Sequence, residues 1–165
     1  MTVVKTKRTA FAFALLLCLS FAGPTAMADV EGPDIRFSDI NKAVRGNWTF
    51  QTPPYRSGNC SMSGTLTVFG QSKTKKDALN CELIAVEVCH GLRSKVEQKC
   101  SVSVKDNLLK IDSTIVNFLE SKGLSTGYAP DNFSLNEVKK DIMKGYLDSA
   151  VIAPVVFQRE FGGIS

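Results

Sequence analysis

The chain has 165 residues, of which 20 are Lys or Arg and 16 are Asp or Glu, so its formal net charge is +4. This length excludes a large multidomain enzyme and fits one compact domain. A hydrophobic fraction of 44% beside a charged fraction of 22% excludes a wholly disordered chain.

Residues 1–28 have the pattern of a secretory signal peptide. Basic Lys5, Lys7 and Arg8 precede an apolar run over residues 11–22, and a small-x-small site ends at Ala28. The apolar run is well short of the roughly 20 residues that cross a bilayer, so we expect cleavage after Ala28 and no membrane span after processing. The sequence therefore predicts a periplasmic or secreted protein.

Processing also changes the charge of the chain. Cleavage removes three basic residues and no acidic ones, which lowers the formal net charge from +4 to +1. A near-neutral domain lacks the basic surface that nucleic acid requires. We therefore expect no nucleic-acid partner.

Residues 29–43 are predicted to form an N-terminal leader and a helical turn. Gly32 and Pro33 indicate a loose start. Ser38 is a suitable N-terminal cap for a short turn that includes Ile40 and Ala43. A single domain over residues 44–160 is expected to follow.

Period-two patterns dominate the rest of the chain and predict β-strands. The clearest strand covers residues 61–68, where apolar side chains alternate with hydroxyl side chains. Pro154 lies inside the last apolar run, so we expect it at an edge or bulge position. The predicted strands are centred on Trp48 and Phe50 and on residues 61–68, 81–89, 100–104, 108–111, 133–135, 143–149 and 151–159.

Four cysteines remain after the signal peptide, with Cys18, is removed. An even number of cysteines in an oxidising destination predicts two disulfides, whose pairing the sequence leaves open. The spacing contains no C-x-x-C pair, so we expect no metal site, and no motif indicates a cofactor. These cysteines are Cys60, Cys81, Cys89 and Cys100.

Two registers are open for the hairpin that contains three of these cysteines. A two-residue turn at His90-Gly91 sets Cys81 opposite Cys100. The other register buries a more apolar face, and it places Ile84, Val86 and Val88 opposite Val104, Val102 and Cys100.

Residues 113–127 are ambiguous between helix and strand. Ile115, Val116, Phe118 and Leu119 have helix-like spacing, and Gly123 is suited to end such a helix. A turn cluster at residues 128–132 follows.

Seven or eight short strands with little helix predict an all-β, mainly antiparallel fold. We expect a small closed or nearly closed up-and-down barrel of about eight strands, with a short N-terminal helical turn. A β-sandwich leaves a similar pattern and remains the alternative.

Two signatures at the ends of this region resemble the lipocalin and avidin group of barrels, the calycins. Gly46-Asn47-Trp48 matches the G-x-W pattern at the start of the first strand, and Arg159 lies near the end of the last strand. Thr126-Gly127-Tyr128 is loosely similar to the lipocalin T-D-Y motif. The resemblance implies that Arg159 packs across Trp48 at a closed end of the barrel and that the protein binds a small apolar ligand.

The order of Gly46, Trp48 and Cys60 also resembles small exported bacterial inhibitors of metalloproteases. That resemblance implies an eight-stranded barrel and an N-terminal arm, here residues 29–37, that enters the cleft of an extracytoplasmic protease. It differs in having four cysteines in the processed chain where that family typically has two.

Motifs for catalysis are missing from the sequence. His90 is the single histidine, and its neighbour Cys89 points to the opposite face of a strand, which disfavours a Cys–His dyad. Asp141 and Asp148 are carboxylates that nothing else in the sequence connects to an acid–base pair. We therefore predict no catalytic residues and no enzyme, but an exported binding protein for a small apolar ligand, with a protease inhibitor as the alternative.

Overall fold

The computed structural model describes residues 37–121 and 127–160. The predicted signal peptide at 1–28 and the leader at 29–36 lie outside these residues. The described chain begins with one short helix, α1 (Phe37–Val44), whose Ile40 and Val44 side chains are buried. No helix within the described ranges is long and apolar enough to cross a bilayer.

Eight antiparallel strands follow the helix and close into a barrel, in which each strand pairs with its neighbour in sequence and the last pairs with the first. This confirms the all-β class and the closed barrel, and it excludes the sandwich. The strands are β1 (Gly46–Gln51), β2 (Cys60–Gln71), β3 (Ala78–Cys89), β4 (Leu92–Lys105), β5 (Leu108–Ser121), β6 (Asn132–Val138), β7 (Ile142–Asp148) and β8 (Ile152–Arg159).

Aromatic side chains fill the middle of the barrel. The rings of Phe50, Phe133 and Phe157 pack together with centroids 5.1–5.3 Å apart, and all three side chains are buried. Ring pairs of this kind contribute about 0.5–1.5 kcal/mol each beyond the burial of their area. The barrel interior is therefore a packed core at this level.

Gly64 in β2 allows a close approach that a side chain would prevent. A Cβ atom there would collide with the carbonyl oxygen of Ile84 and lie 2.7 Å from the ring of Phe50. The inward positions of a small barrel are crowded, so the strand requires glycine where it faces a large ring.

The strand pairing resolves the disulfides that the sequence left open. One joins Cys60 to Cys89 across β2 and β3, and the other joins Cys81 to Cys100 across β3 and β4. The tight turn at His90-Gly91 sets the register, since both residues have positive φ. The alternative register is wrong because the turn geometry outweighs the apolar match that favoured it.

The ambiguous segment after residue 113 is strand, not helix, as far as Ser121. β5 has two irregularities in its pairing with β4, which leave Val116 and Leu119 as extra residues. Each extra residue shifts the side-chain alternation by one position and so produces the helix-like spacing. Gly123 lies outside the described residues.

Pro154 lies inside β8, but beyond the end of its pairing with β1. The last pair between these strands joins Gln51 to Val156, so β8 has no neighbour on that side at Pro154. A proline is tolerated there, as expected for a local edge.

Candidate functional site

Trp48 lies at the end of the barrel that α1 covers. Its side chain is fully buried, and its indole Nε1 donates a hydrogen bond of 2.8 Å to the carbonyl oxygen of Val44 at the C-terminus of the helix. The ring thus fills the barrel end and satisfies a carbonyl group that has no partner within the helix.

Arg159 lies directly over this ring, with its Cζ atom 4.2 Å from the ring centroid. Its guanidinium group donates hydrogen bonds to the backbone carbonyls of Ala43, Arg45 and Lys140. Arg159 therefore ties the helix and the β6–β7 turn to the end of β8. Among the described residues, this network gives Trp48 and Arg159 a structural role at this end of the barrel.

The opposite end of the barrel contains a cavity of about 200 Å³, which we call the mouth cavity. It lies where β2 begins and where β3 and β7 end, and it is bordered by the segment that leads into β6. Its lining residues are Arg56, Met62, Glu87, Gly127, Tyr128, Ala129, Asp131, Leu147, Ser149, Ala150 and Val151.

Asp131 is the most unusual of these residues, because it is a carboxylate only 1% exposed. Its Oδ2 atom accepts hydrogen bonds from Gln98 Nε2 at 2.5 Å and from the Tyr128 hydroxyl at 2.8 Å. Its backbone N–H donates to Gln98 Oε1 at 3.0 Å, so the pair of contacts with Gln98 holds this segment against β4. Its Oδ1 atom is buried and has no hydrogen-bond partner among the described residues.

The pKa of Asp131 is raised to about 6, chiefly because burial disfavours the charged carboxylate. Hydrogen bonds from Tyr128 and Gln98 lower the pKa, and the nearby charge of Glu87 raises it. The Ser149 hydroxyl lies near enough to lower the pKa as well, although its hydrogen bond, of 3.4 Å, goes to the carbonyl oxygen of Ala129. The group is thus poised to change its charge just below neutral pH.

Glu87 and Tyr55 form a second polar pair at the cavity. The Tyr55 hydroxyl donates a 2.5 Å hydrogen bond to Glu87 Oε1. Burial and the two carboxylates raise the pKa of Tyr55, and burial and the same carboxylates raise the pKa of Tyr128. Both tyrosines therefore act as neutral hydrogen-bond donors to carboxylates at the mouth cavity.

The mouth cavity is smaller and more polar than the one expected for an apolar ligand. Pockets for drug-sized ligands usually measure about 300–1,000 Å³ and are mostly apolar. Here Met62, Leu147 and Val151 supply an apolar wall, while Glu87 and Asp131 supply acidic groups.

The residues that the sequence singled out for chemistry do not form a site. Asp141 directly precedes β7 and Asp148 is its last residue, so the two carboxylates are about 20 Å apart along the strand. The one group of potential metal ligands among the described residues is Cys60, Cys89 and Glu87. Since the two sulfurs are joined in a disulfide, this group has no thiolate to offer a metal ion.

The polar residues of the mouth cavity were missed by sequence reasoning, because they come from separate segments. One signal was present in the alternation of β4, where Ser94 and Gln98 occupy the same face as Val96 and Val102. Both polar side chains are fully buried, and buried polar groups at inward positions indicate a site or a network.

No protein-family model and no curated protein matches this chain. Among solved structures, the chain is similar to a de novo designed protein described as a fluorescence-activating β-barrel. The two share 13% sequence identity over 74% of this chain and 98% of the designed chain, with a TM-score of 0.51. This likeness shows the fold alone: an eight-stranded antiparallel barrel that fits the calycin group in general terms, with no family identified.

Proposed function

We propose that the protein is an exported, noncatalytic barrel that binds a small molecule in the mouth cavity. The observation that carries this proposal is the buried Asp131 carboxylate, one oxygen of which has no partner in residues 37–121 and 127–160, and which lines a cavity at the helix-distal end of the barrel. A buried carboxylate without full pairing destabilises the fold, so a binding role explains why one is held there.

The contrast between the two barrel ends supports this placement. At the helix end, Trp48 and Arg159 are packed against each other and their polar atoms contact backbone carbonyls. At the other end, polar groups from several segments converge on empty volume. Binding sites typically combine an apolar wall with a few convergent polar groups, as this cavity does.

The designed barrel gives general support to a binding function, since it has the same architecture and is described as fluorescence-activating. Export is supported by the basic and apolar pattern of residues 1–28 and by the two disulfides, which are compatible with an oxidising compartment. The protease-inhibitor hypothesis stays a prediction, since residues 29–36 of its arm lie outside the described chain.

A titration followed by amide NMR resonances tests the proposed function. Three probes of nearly equal shape are used: phenethylamine, 2-phenylethanol and phenylacetate. We expect at least one of them to shift the resonances of the mouth cavity saturably, with a Kd of about 1 mM or below for so small a ligand.

Two matched variants locate the binding. Ala150→Phe places a ring at the rim of the cavity and should abolish the shifts, because Ala150 lines the cavity and is exposed. Thr67→Phe adds the same ring on an exposed position of β2, near its helix end, and should leave binding unchanged. Saturable binding that survives Ala150→Phe, or no saturable binding by any probe, contradicts the proposed function.

A further inference from the structure

We propose that the mouth cavity selects a small organic ammonium ion, with Asp131 and Glu87 as the carboxylates that receive it. This inference rests on the proposed function and specifies the chemical class of its ligand.

The two carboxylate oxygens of Asp131 differ in their hydrogen bonds. Oδ2 already accepts from Gln98 and Tyr128, whereas Oδ1 is buried and no described residue donates a hydrogen bond to it. Among the described residues, no Lys or Arg side chain forms an ion pair with this carboxylate. An ammonium ion would supply a hydrogen-bond donor for Oδ1 and a positive charge to compensate the carboxylate. Such charge-assisted hydrogen bonds are stronger than those between neutral groups.

The charges that line the cavity favour a cation. Glu87 and Asp131 are its two acidic lining residues, and the exposed Arg56 is its one basic lining residue. The Tyr55 hydroxyl binds Glu87, and Tyr128 is held against Asp131, so both rings stand beside the carboxylates. Neither tyrosine brings a positive charge to these carboxylates, so their negative charge is left for a cationic ligand.

A neutral or anionic ligand should bind this cavity more weakly than a cation. A neutral hydroxyl could donate one bond to Asp131 but would leave the buried charge uncompensated. An anion would be repelled by the two carboxylates in a partly buried setting, where screening is weak. The apolar wall of Met62, Leu147 and Val151 leaves space for a short hydrocarbon or aromatic body attached to the ammonium group.

Protonation of Asp131 should compete with the ligand. Because the pKa of this carboxyl group is about 6, a proton occupies it increasingly below that pH, and ammonium affinity should fall about tenfold between pH 7 and pH 5. The charged and titratable groups that face it are Glu87, Arg56, Tyr55 and Tyr128.

Isothermal titration calorimetry with phenethylamine, 2-phenylethanol and phenylacetate tests the inference, since these probes differ mainly in charge. We expect phenethylamine to bind at least about tenfold more tightly than 2-phenylethanol, which corresponds to one charge-assisted hydrogen bond, and phenylacetate to bind most weakly. Asp131→Asn should remove about tenfold of the affinity for phenethylamine while leaving that for 2-phenylethanol nearly unchanged.

Two control variants separate a specific contact from a general effect of charge. Asp148→Asn removes one negative charge from an exposed position at the same end of the barrel and should leave phenethylamine affinity unchanged. Histidine is the residue type that commonly changes charge in this pH range, so His90→Asn is the control for the pH dependence. The pH dependence of phenethylamine affinity should persist in this variant, because we assign it to Asp131. Glu87→Gln provides a second variant should Asp131→Asn fail to fold, and it should also weaken phenethylamine more than 2-phenylethanol.

The results distinguish this inference from the function on which it rests. If 2-phenylethanol or phenylacetate binds at the cavity as tightly as phenethylamine, the protein remains a small-molecule binder but the ammonium preference is refuted. The same holds if neither Asp131→Asn nor Glu87→Gln changes the affinity for phenethylamine. If none of the three probes binds, the inference and the proposed function both fail.

Discussion

Replacing Trp48 with alanine tests how the helix end of the barrel is held together. The side chain is fully buried, so its removal leaves a large cavity, and truncations of this kind cost about 3–5 kcal/mol. The change also removes the 2.8 Å hydrogen bond to Val44 and the contact with Arg159 at 4.2 Å. Together we expect a loss of at least about 4 kcal/mol, a large part of the stability of a small domain.

Urea unfolding followed by far-UV circular dichroism measures this loss, because Trp48→Ala has no tryptophan for a fluorescence signal. Tyr146→Ala is the matched control, since it truncates an aromatic side chain that is 51% exposed on β7 and should cost less than about 1 kcal/mol. In the unmodified protein, tryptophan emission should be blue-shifted and insensitive to a soluble quencher. If Trp48→Ala costs no more than Tyr146→Ala, the packed barrel end described here is refuted.

Three further predictions concern the barrel and the carboxylate at its mouth. Gly64→Ala should cost at least about 1–3 kcal/mol, because the added Cβ would clash with the carbonyl oxygen of Ile84 and crowd the ring of Phe50. Gly70→Ala, where a Cβ meets nothing within 4 Å, should have little effect in the same urea assay. Non-reducing peptide mapping should recover both disulfides as they are paired in the structure, and four freely alkylatable thiols would contradict this pairing. Each disulfide should stabilise the fold by about 3–4 kcal/mol, because the linked cysteines are 29 and 19 residues apart in sequence. The pKa of Asp131 is higher in the folded than in the unfolded protein, so the free energy of unfolding should fall by up to about 3 kcal/mol as pH rises from 4 to 7. Asp131→Asn should not show this fall. Equal pH profiles of the two proteins would contradict the raised pKa.

The strands and the barrel could be predicted from the sequence because local alternation encodes them. The run at residues 61–68 alternates without interruption, and β2 shows the same alternation of buried and exposed side chains. The helical turn before Trp48 was also predicted, and it corresponds to α1. Such features depend on near neighbours in the chain, which a single sequence displays.

Features that depend on distant pairing were harder to predict. The register of the β3–β4 hairpin was open, because turn geometry and apolar matching favoured different answers and only the folded chain shows which prevails. The extra residues Val116 and Leu119 in β5 disturbed the period, since a bulge is defined by its partner strand.

The candidate site could not be predicted, because its residues lie far apart in sequence. Gln98 and Asp131 are 33 residues apart, and Tyr55 and Glu87 are 32 apart, so only closure of the barrel brings them together. The burial that raises the pKa of Asp131 is likewise a property of the fold. The resemblance to calycins concerned the packing of Arg159 across Trp48 at the opposite end of the barrel and named no ligand-binding residue.

A crystal structure of the protein soaked with phenethylamine would show whether the mouth cavity receives an ammonium ion. We expect the probe in this cavity, with its ammonium nitrogen about 2.7–3.2 Å from carboxylate oxygens of Asp131 and Glu87 and its ring against Met62, Leu147 and Val151. A probe bound with its ring toward Asp131 and its nitrogen in solvent would contradict the proposed ammonium site, and so would a probe bound only at another surface.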